Sequence, residues 1–448
     1  MSRAPTVSKT RMRRHWQVLC EQIGNRLRGT ENERRAAKYI EQQFQRCGLD
    51  DVHQHQFDFP DWRSTKCTVR AGRRGKLKTI RTAVAMAYSP ATTPRSVGGR
   101  LVYLQEGHRF DFDQPTRGRV GLLIGSLNLG DPQMMARLER SGLAALLVVD
   151  ARNPWEWRIP AGGGPQWFDR YSIPTVSISY YDAIELAKAA DAAAVDVQVM
   201  VKARTFAGKS QNVIGEATGT RRPDQVIIVS AHYDCVSGNV GANDDASGTV
   251  LVLEMARLFS ARPAGRTVRF IAYGSEENLS VGAYLYMRSL NNRQCRSIVL
   301  AMMAGSIAGY IGQDRMSVTG PKGLEESARR CWRQRNHPIN VHAEIQPYGD
   351  QFSMSLRGVP VIWLSRPSVI GRGFWQHHGP HDHLGNVNVD VAARTTGSAV
   401  AFVRKIADAP RLPFTARIDA AMMKQVRGFG RRTYRHPWSP DQFRYPTS

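Results

Sequence analysis

The stretch HYDCVSGNVGANDDASG, residues 232–248, predicts a metal site on an α/β sheet. It combines an imidazole with nearby carboxylates, and such nitrogen and oxygen donors suit hard to borderline metal ions. An apolar run at 226–229 precedes it, so a strand end leads into a glycine-containing ligand loop. A second apolar run at 268–273 is followed by the acidic pair Glu276 and Glu277. Strand, ligand loop, helix, strand and ligand pair is the order expected for a hydrolytic metal site on a parallel sheet.

The segment from residue 206 to residue 410 alternates apolar runs of strand length with helical segments. This alternation predicts a parallel α/β sheet. Most of the polar site candidates lie just beyond a predicted strand, where ligands gather in open α/β sheets. The predicted strands are 226–230, 268–273, 298–303 and 359–364, and the predicted helices include 247–260, 281–290 and 323–335.

Changes in composition and in the pattern of apolar residues divide the chain into four segments. Residues 12–84 are too short for a core of their own, and we predict that they form the N-terminal part of the catalytic domain. Residues 85–205 have short apolar strands, few acids and no paired ligands, which indicates a smaller inserted, non-catalytic domain. Residues 206–410 form the predicted main catalytic domain. Residues 411–448 are a basic C-terminal tail, expected to wrap around the domain or to be partly disordered.

Composition limits the class of protein. The chain has 448 residues and is 42% hydrophobic, which is ample for large cores. A net charge of +24 would attract nucleic acid or other anions. The basic residues are spread along the chain and no nucleic-acid motif occurs, so we expect a solvated basic surface and no specific nucleic-acid partner. The six cysteines show no CxxC or disulfide-like spacing, so we expect free thiols.

The N-terminus of the sequence as written shows no secretory signal, because its basic residues are not followed by an apolar region. We therefore expect a cytoplasmic location by default. No run of about eighteen apolar residues occurs, so we expect no membrane span. The sequence leaves the oligomeric state open.

A late cluster, HHGPHD at 377–382, completes a set of four blocks. The others are HYD at 232–234, GANDDASG at 241–248, and EE at 276–277 followed by VGA at 281–283. Together they resemble the co-catalytic zinc aminopeptidase family, which includes aminopeptidase Y, glutamate carboxypeptidase II, the transferrin receptor ectodomain and the glutaminyl cyclases. The resemblance implies a mixed, mostly parallel sheet flanked by helices. It also implies that the inserted segment is a smaller protease-associated domain.

The resemblance implies a role for each matched side chain. His232 would bind one zinc ion, and Asp244 would bridge two. Glu277 and His378 would hold the other ion. Glu276 would be the general base that takes a proton from the attacking water.

Three further residues receive roles on the same basis. Asp234 would orient His232 and fix its tautomer. His377 stands where a Tyr that stabilises the oxyanion is common in the family, and it could donate a hydrogen bond there. Asp350, in a segment similar to the family's Ser-Asp-His segment, is a candidate for recognising the free N-terminus of a peptide. A structural turn residue is an equally good interpretation of Asp350.

One expected ligand is missing. The family normally supplies another Asp in a Leu-Asp-Met-x-Gly context, and the corresponding segment reads LAMMAG at 300–305. Aligning on the Leu places Ala301 in the Asp position, whereas aligning on the Gly places Met302 there. Neither side chain is a good zinc ligand, so we predict one tight zinc site and a second that is weak or absent.

Three functions fit these residues. The first is a zinc-dependent peptidase, most simply an aminopeptidase acting on small peptides. The second is a single-zinc enzyme such as a glutaminyl cyclase-like acyltransferase. The third is a catalytically impaired family member that serves as a binding scaffold, which the loss of the Asp at 301 or 302 favours and the retained Glu276 opposes.

Overall fold

A computed structural model describes residues 6–92, 95–124, 132–149, 173–367 and 377–434. Part of the predicted inserted domain, 150–172, and the end of the predicted tail, 435–448, lie outside the described residues. The described chain forms two compact units. The first comprises residues 6–59 and 209–431, and the second comprises residues 60–208.

The helices of the described residues lie in both units. They are α1 (Lys9–Gln17), α2 (Glu31–Cys47), α3 (Pro132–Arg140), α4 (Tyr180–Ala192), α5 (Ala246–Ala261), α6 (Val281–Ser289), α7 (Asn292–Ser297), α8 (Lys322–Gln334), α9 (Gln351–Ser355), α10 (Val389–Asp408) and α11 (Ala420–Tyr434). A π-helical turn, Val18–Ile23, continues α1, and short 3₁₀ turns occur at Arg109–Phe112, Glu276–Asn278 and Leu384–Asn386.

The strands are likewise shared between the units. They are β1 (Asp50–Arg73), β2 (Lys76–Ile80), β3 (Val84–Ala85), β4 (Val97–Tyr103), β5 (Val120–Ile124), β6 (Ala145–Val149), β7 (Thr175–Ser177), β8 (Asp196–Ala217), β9 (Arg222–His232), β10 (Arg266–Tyr273), β11 (Ile298–Ala304), β12 (Arg315–Thr319), β13 (Asn340–Ala343) and β14 (Val361–Ser365).

The first unit is built on a mixed, mostly parallel sheet. Its strand order is β13-β12-β14-β11-β9-β10-β8. Strand β9 pairs in parallel with β10 and β11, and β11 pairs in parallel with β14. Strand β8 is antiparallel to β10, and β12 is antiparallel to β14. The parallel centre brings the carboxyl ends of β9, β10, β11 and β14 to one edge, in agreement with the predicted fold class.

Helices cover both faces of this sheet. On one face α1, α2, α5, α8 and α10 share a core with Val229, Phe270 and Met302 of the strands. On the other face α6, α7 and α9 pack with Ile228 and Ala301. Helix α5 is buried along almost its whole length, which explains its nearly continuous apolar sequence. The α1 and α2 segments therefore complete a core that residues 12–84 could not build alone.

The second unit has its own cores. Strands β4, β5, β6 and β7 are parallel in that order, and β3 is antiparallel to β7. Helix α4 packs with Leu122 and Leu147 on one side of this sheet. Helix α3 packs with Leu123 and Leu146 on the other. The unit is thus a small α/β domain, and its assignment as a protease-associated domain stays a prediction.

The structural boundaries differ from those expected from the sequence. Strand β1 runs past residue 59 and pairs with β2, from Val69 opposite Ile80 to Arg73 opposite Lys76. This hairpin belongs to the second unit, which therefore begins at Pro60 rather than at residue 85. The long strand β8 carries the other boundary to residue 208 rather than 205. Helix α11 occupies part of the predicted tail.

The cysteines and helices bear on two further expectations. All six cysteines are free thiols, as predicted. Among the helices of the described residues, none has both the length and the apolar character that crossing a membrane requires.

Candidate metal and catalytic site

His232 and Asp234 lie where β9 ends. His232 is the last residue of the strand, and both side chains are buried. The carboxylate of Asp234 accepts hydrogen bonds from the backbone N–H of Glu276 at 2.9 Å and of Glu277 at 3.2 Å. Its Oδ1 also lies 3.4 Å from Nδ1 of His232. Asp234 therefore ties the imidazole of one strand end to the acidic pair of the next.

Asp244 occupies the centre of the cluster. Its Oδ1 lies 3.3 Å from Nε2 of His232, and its Oδ2 lies 3.4 Å from Nε2 of His378. Burial alone would raise the pKa of Asp244, but His377 and hydrogen bonds from the imidazoles hold that pKa well below its usual range. A carboxylate with one oxygen toward each imidazole has the disposition expected of a bridging ligand.

Glu277 and His378 lie against Asp244. Nε2 of His378 is 2.8 Å from Oε2 of Glu277. Burial would lower the pKa of His378, but Glu277 and Asp244 raise it to about 10. Oε1 of Glu277 is buried without a hydrogen-bond partner. The cluster thus has excess negative charge and a carboxylate oxygen without a partner. A cation bound here would neutralise the charge and bind that oxygen.

Ligand atoms of Asp244, His377 and His378 all lie within 4.8 Å of one another. His377 stacks on His378, with ring centroids 3.6 Å apart, and its Nδ1 lies 2.7 Å from Oδ2 of Asp244. The residues present therefore fit a zinc ion, which takes such nitrogen and oxygen donors. The structure places His377 beside the predicted ligands, and its role as an oxyanion donor stays a prediction.

Glu276 lies at the open side of the cluster. Its Oε2 is 3.7 Å from Nε2 of His232, and its side chain remains 15% exposed. Its Oε1 accepts a hydrogen bond from the Ser280 hydroxyl at 3.0 Å. Burial raises the pKa of Glu276 to about 7, with His232 opposing the rise and Glu277 adding to it. A carboxyl group of that pKa exchanges protons readily near neutral pH.

Asp350 is the last residue before α9, and its side chain is fully buried. Burial raises the pKa of Asp350 well above its usual range, and the charge of Glu276 adds to the rise. Neither carboxylate oxygen has a hydrogen-bond partner. Because no part of Asp350 is exposed, direct contact with the amino group of a substrate would need a conformational change, and that role stays a prediction.

Comparison with known proteins supports this interpretation of the site. Residues 212–403 match the sequence profile of Peptidase family M28. Over this segment the chain is similar to the peptidases of that family. The matched segment contains every candidate ligand and the candidate base, so the family and the geometry point to the same residues.

Individual relatives of this chain are distant. The aminopeptidase YwaD of Bacillus subtilis is 29% identical over 282 residues, covering 62% of this chain. That match spans only 57% of the relative's own length. Carboxypeptidase Q of Xenopus laevis is 26% identical over 396 residues, covering 82% of this chain and 79% of the relative.

Solved structures show the same fold. A zinc aminopeptidase from Bacillus subtilis superposes with a TM-score of 0.76 and 21% identity, covering 93% of this chain and 99% of that one. A peptidase M28 precursor from Shewanella amazonensis also gives a TM-score of 0.76, with 18% identity and coverage of 90% and 94%. These similarities confirm the predicted zinc aminopeptidase fold.

The register of β11 corrects the predicted position of the missing ligand. Met302 packs with Val229 in the core on the sheet face opposite His232. Ala301 shares the face of His232, but it pairs with Ile228. Four residues separate Ile228 from His232, which is about 13 Å along a strand. A carboxylate at either predicted position would therefore not reach the site.

Met303 is the residue of β11 that faces the site. It lies opposite Ser230, on the same face as His232 and one pleat below it. Ser306, three residues further, has a φ of +55°, a backbone conformation that favours glycine. The family pattern Leu-Asp-Met-x-Gly has its glycine three residues after its Asp. The structure thus aligns the Asp with Met303 and the glycine with Ser306.

Asp382 was part of the quoted family pattern but had no predicted role. It is fully buried, and its carboxylate accepts hydrogen bonds from the N–H groups of Asn243 at 2.6 Å and Asp244 at 3.0 Å. The C-terminal loop that carries His378 is thereby fastened to the loop that carries Asp244. Its place at the end of the HHGPHD block was the only sequence signal.

Arg26 was not singled out from the sequence. Its guanidinium is fully buried and donates to the backbone carbonyls of Tyr233, Val240 and Gly241 at 2.6, 2.7 and 3.1 Å. The loop between His232 and Asp244 has no regular structure, so these bonds give it shape. Nothing in the sequence distinguishes Arg26 from the many arginines of a basic surface.

Proposed function

We propose that the chain is a zinc-dependent aminopeptidase that hydrolyses small peptides. The observation that carries the proposal is Glu276, a carboxyl group with a pKa of about 7 beside the buried cluster of Asp244, Glu277 and His378. The relatives named as aminopeptidases favour cleavage at the N-terminus. The relative named carboxypeptidase Q makes the direction of cleavage a question for experiment.

Asp244, Glu277 and His378 would hold one zinc ion, and His232 and Asp244 would hold a second. Bound zinc would act as a Lewis acid on the substrate carbonyl and on water. Oε2 of Glu276 accepts a proton from the attacking water. The water oxygen bonds to the carbonyl carbon, the C–N bond breaks, and Glu276 returns the proton to the leaving amine.

Two neighbours prepare Glu276 for this task. Ser280 donates a hydrogen bond to Oε1, which leaves Oε2 for the reaction. Asp234 holds the backbone N–H groups of Glu276 and Glu277, so base and ligand keep a fixed spacing. Burial supplies a pKa close to neutral, at which a group can both accept and return a proton.

The proposal is tested with zinc-loaded protein and paired peptides that carry a free or an acetylated N-terminus. We expect release of N-terminal residues from the free peptides only. Glu276→Gln should lower kcat by about 10²- to 10⁴-fold without changing the zinc content. Glu326→Gln, at an exposed position on α8, is the matched control and should behave as wild type.

Three outcomes would redirect the proposal. Cleavage of acetylated peptides from the C-terminus would indicate a carboxypeptidase. Cyclisation of N-terminal glutamine without hydrolysis would indicate the single-zinc alternative. Failure to cleave any peptide at saturating zinc would leave the scaffold interpretation.

A further inference from the structure

The metal position between His232 and Asp244 is short of a ligand, if the zinc centre proposed above is correct. Catalytic zinc sites use three protein ligands and leave one position open. Met303 stands where the family pattern has an Asp, and zinc in proteins is bound by thiolates, imidazoles and carboxylates rather than by thioethers. Among the described residues that match the family pattern, only His232 and Asp244 could then bind a metal ion at this position.

An unused carboxylate lies on the same face of the sheet. Helix α9 packs through Met354 into the core that contains Ile228 and Tyr273, so Asp350 at its start is on the face of His232. Asp350 is fully buried, and neither of its oxygens has a hydrogen-bond partner. It does not cap α9. A buried charge without partners is strongly unfavourable, so such a group requires a cation or a proton.

Three departures from the family pattern meet beside Asp350. They are Met303, and Gly349 and Gln351, which replace the Ser and the His of the family's Ser-Asp-His segment. A Cβ atom at Gly349 would lie 3.3 Å from Sδ of Met303 and 2.6 Å from Oε1 of Gln351. The amide of Gln351 donates to the carbonyl of Tyr348 at 3.0 Å, which holds the side chain in that place. Met303 and Gln351 are therefore accommodated because residue 349 has no side chain. Changes at separate sequence positions have remodelled one wall of the site around a retained Asp.

We propose that Asp350 supplies the carboxylate for the metal position between His232 and Asp244, in place of the Asp that Met303 has displaced. Burial raises the pKa of Asp350 well above its usual range, with the charge of Glu276 adding to the rise and that of His232 opposing it. The Asp350 carboxylate would have to move for its oxygens to reach an ion shared with His232. Gly349, at φ +103°, precedes Asp350 and gives the backbone that freedom.

Zinc binding by equilibrium dialysis tests the proposal independently of activity. Wild type should bind two ions per chain, and Asp350→Asn should bind one, with the weaker site weakened more than about 100-fold. Met303→Asp combined with Asp350→Asn should restore the second ion. Ser353→Ala is the matched control, because Ser353 is also buried in α9 with an unpartnered hydroxyl, and it should bind as wild type.

The outcomes separate this inference from the proposed function. A wild type that binds no zinc contradicts both. A wild type that binds one ion, or an Asp350→Asn variant that binds two with unchanged affinity, overturns only the role of Asp350.

If Asp350→Asn does not fold, a second variant tests the inference. Asp350→Cys loaded with cobalt(II) should show a thiolate-to-cobalt charge-transfer band that wild type and Ser353→Cys lack. Absence of that band in folded, cobalt-loaded Asp350→Cys would overturn the inference.

Discussion

The substitution Asp382→Asn tests the role of a residue that is not a proposed metal ligand but positions one, Asp244. The Asp382 carboxylate is fully buried and accepts hydrogen bonds from the backbone N–H groups of Asn243 at 2.6 Å and Asp244 at 3.0 Å. An amide can accept from only one of them and turns its own NH₂ toward the other. We therefore expect one weakened hydrogen bond and one unsatisfied N–H, a loss of about 2–4 kcal/mol in the free energy of unfolding. This is a fraction of the total stability of about 5–15 kcal/mol, so the variant should fold.

The effect on metal binding follows from the same geometry. Partners that orient a metal ligand contribute about 10- to 100-fold to affinity, or roughly 1.4–2.7 kcal/mol. The assay is zinc titration against a chromophoric chelator, together with urea unfolding of the metal-free protein. Asp390→Asn, at an exposed position paired with Lys9, is the control and should change neither quantity. Zinc affinity of Asp382→Asn within about threefold of wild type would refute the claim that this carboxylate positions Asp244.

Two further predictions concern stability. The pKa values of Glu276 and Asp382 rise to about 7 and that of Glu33 to about 8, so between pH 4.5 and 8 the folded metal-free protein binds more protons than the unfolded chain. Its free energy of unfolding should fall as pH rises through that window and recover on adding zinc; a metal-free protein that gains stability would contradict this. Gly248→Ala should destabilise by about 1–3 kcal/mol, because a Cβ there would clash with the carbonyl of residue 304. Gly397→Ala, with only a flexible arginine nearby, should be neutral or stabilising by up to about 1 kcal/mol, and equal melting temperatures for the two variants would count against this reasoning.

Much of the first unit could be predicted because its signals are local. Apolar runs of strand length and the mostly apolar α5 reflect burial on both sides of a parallel sheet. Parallel pairing then places the ends of β9 and β10 together, so His232 and Glu276 could be associated without coordinates. The ligand predictions depended on this rule together with the family resemblance.

The missing ligand position could not be predicted from the sequence alone. The pattern Leu-Asp-Met-x-Gly had to be placed on a run of apolar residues, 300–305, that offers no polar anchor. A shift of one residue reverses the sheet face of every side chain. Only the pairing of Met303 with Ser230 and the positive φ of Ser306 determined the alignment.

Polar contacts between residues far apart in the sequence could not be predicted either. Arg26 is separated from the carbonyls of Tyr233 and Val240 by more than 200 positions, and a fully buried arginine in a chain with net charge +24 has no compositional signature. The start of the second unit was misplaced for a related reason. Strand β1 continues from one unit into the other without a turn or a change of composition at residue 60.

The most direct test of the account is a crystal structure of the zinc-loaded protein with anomalous scattering measured at the zinc edge. We predict an ion bound by Asp244, Glu277 and His378 at distances of about 2.0–2.2 Å, with Glu276 close by but not coordinating. Crystals grown in zinc that show no anomalous peak between these three side chains would contradict it.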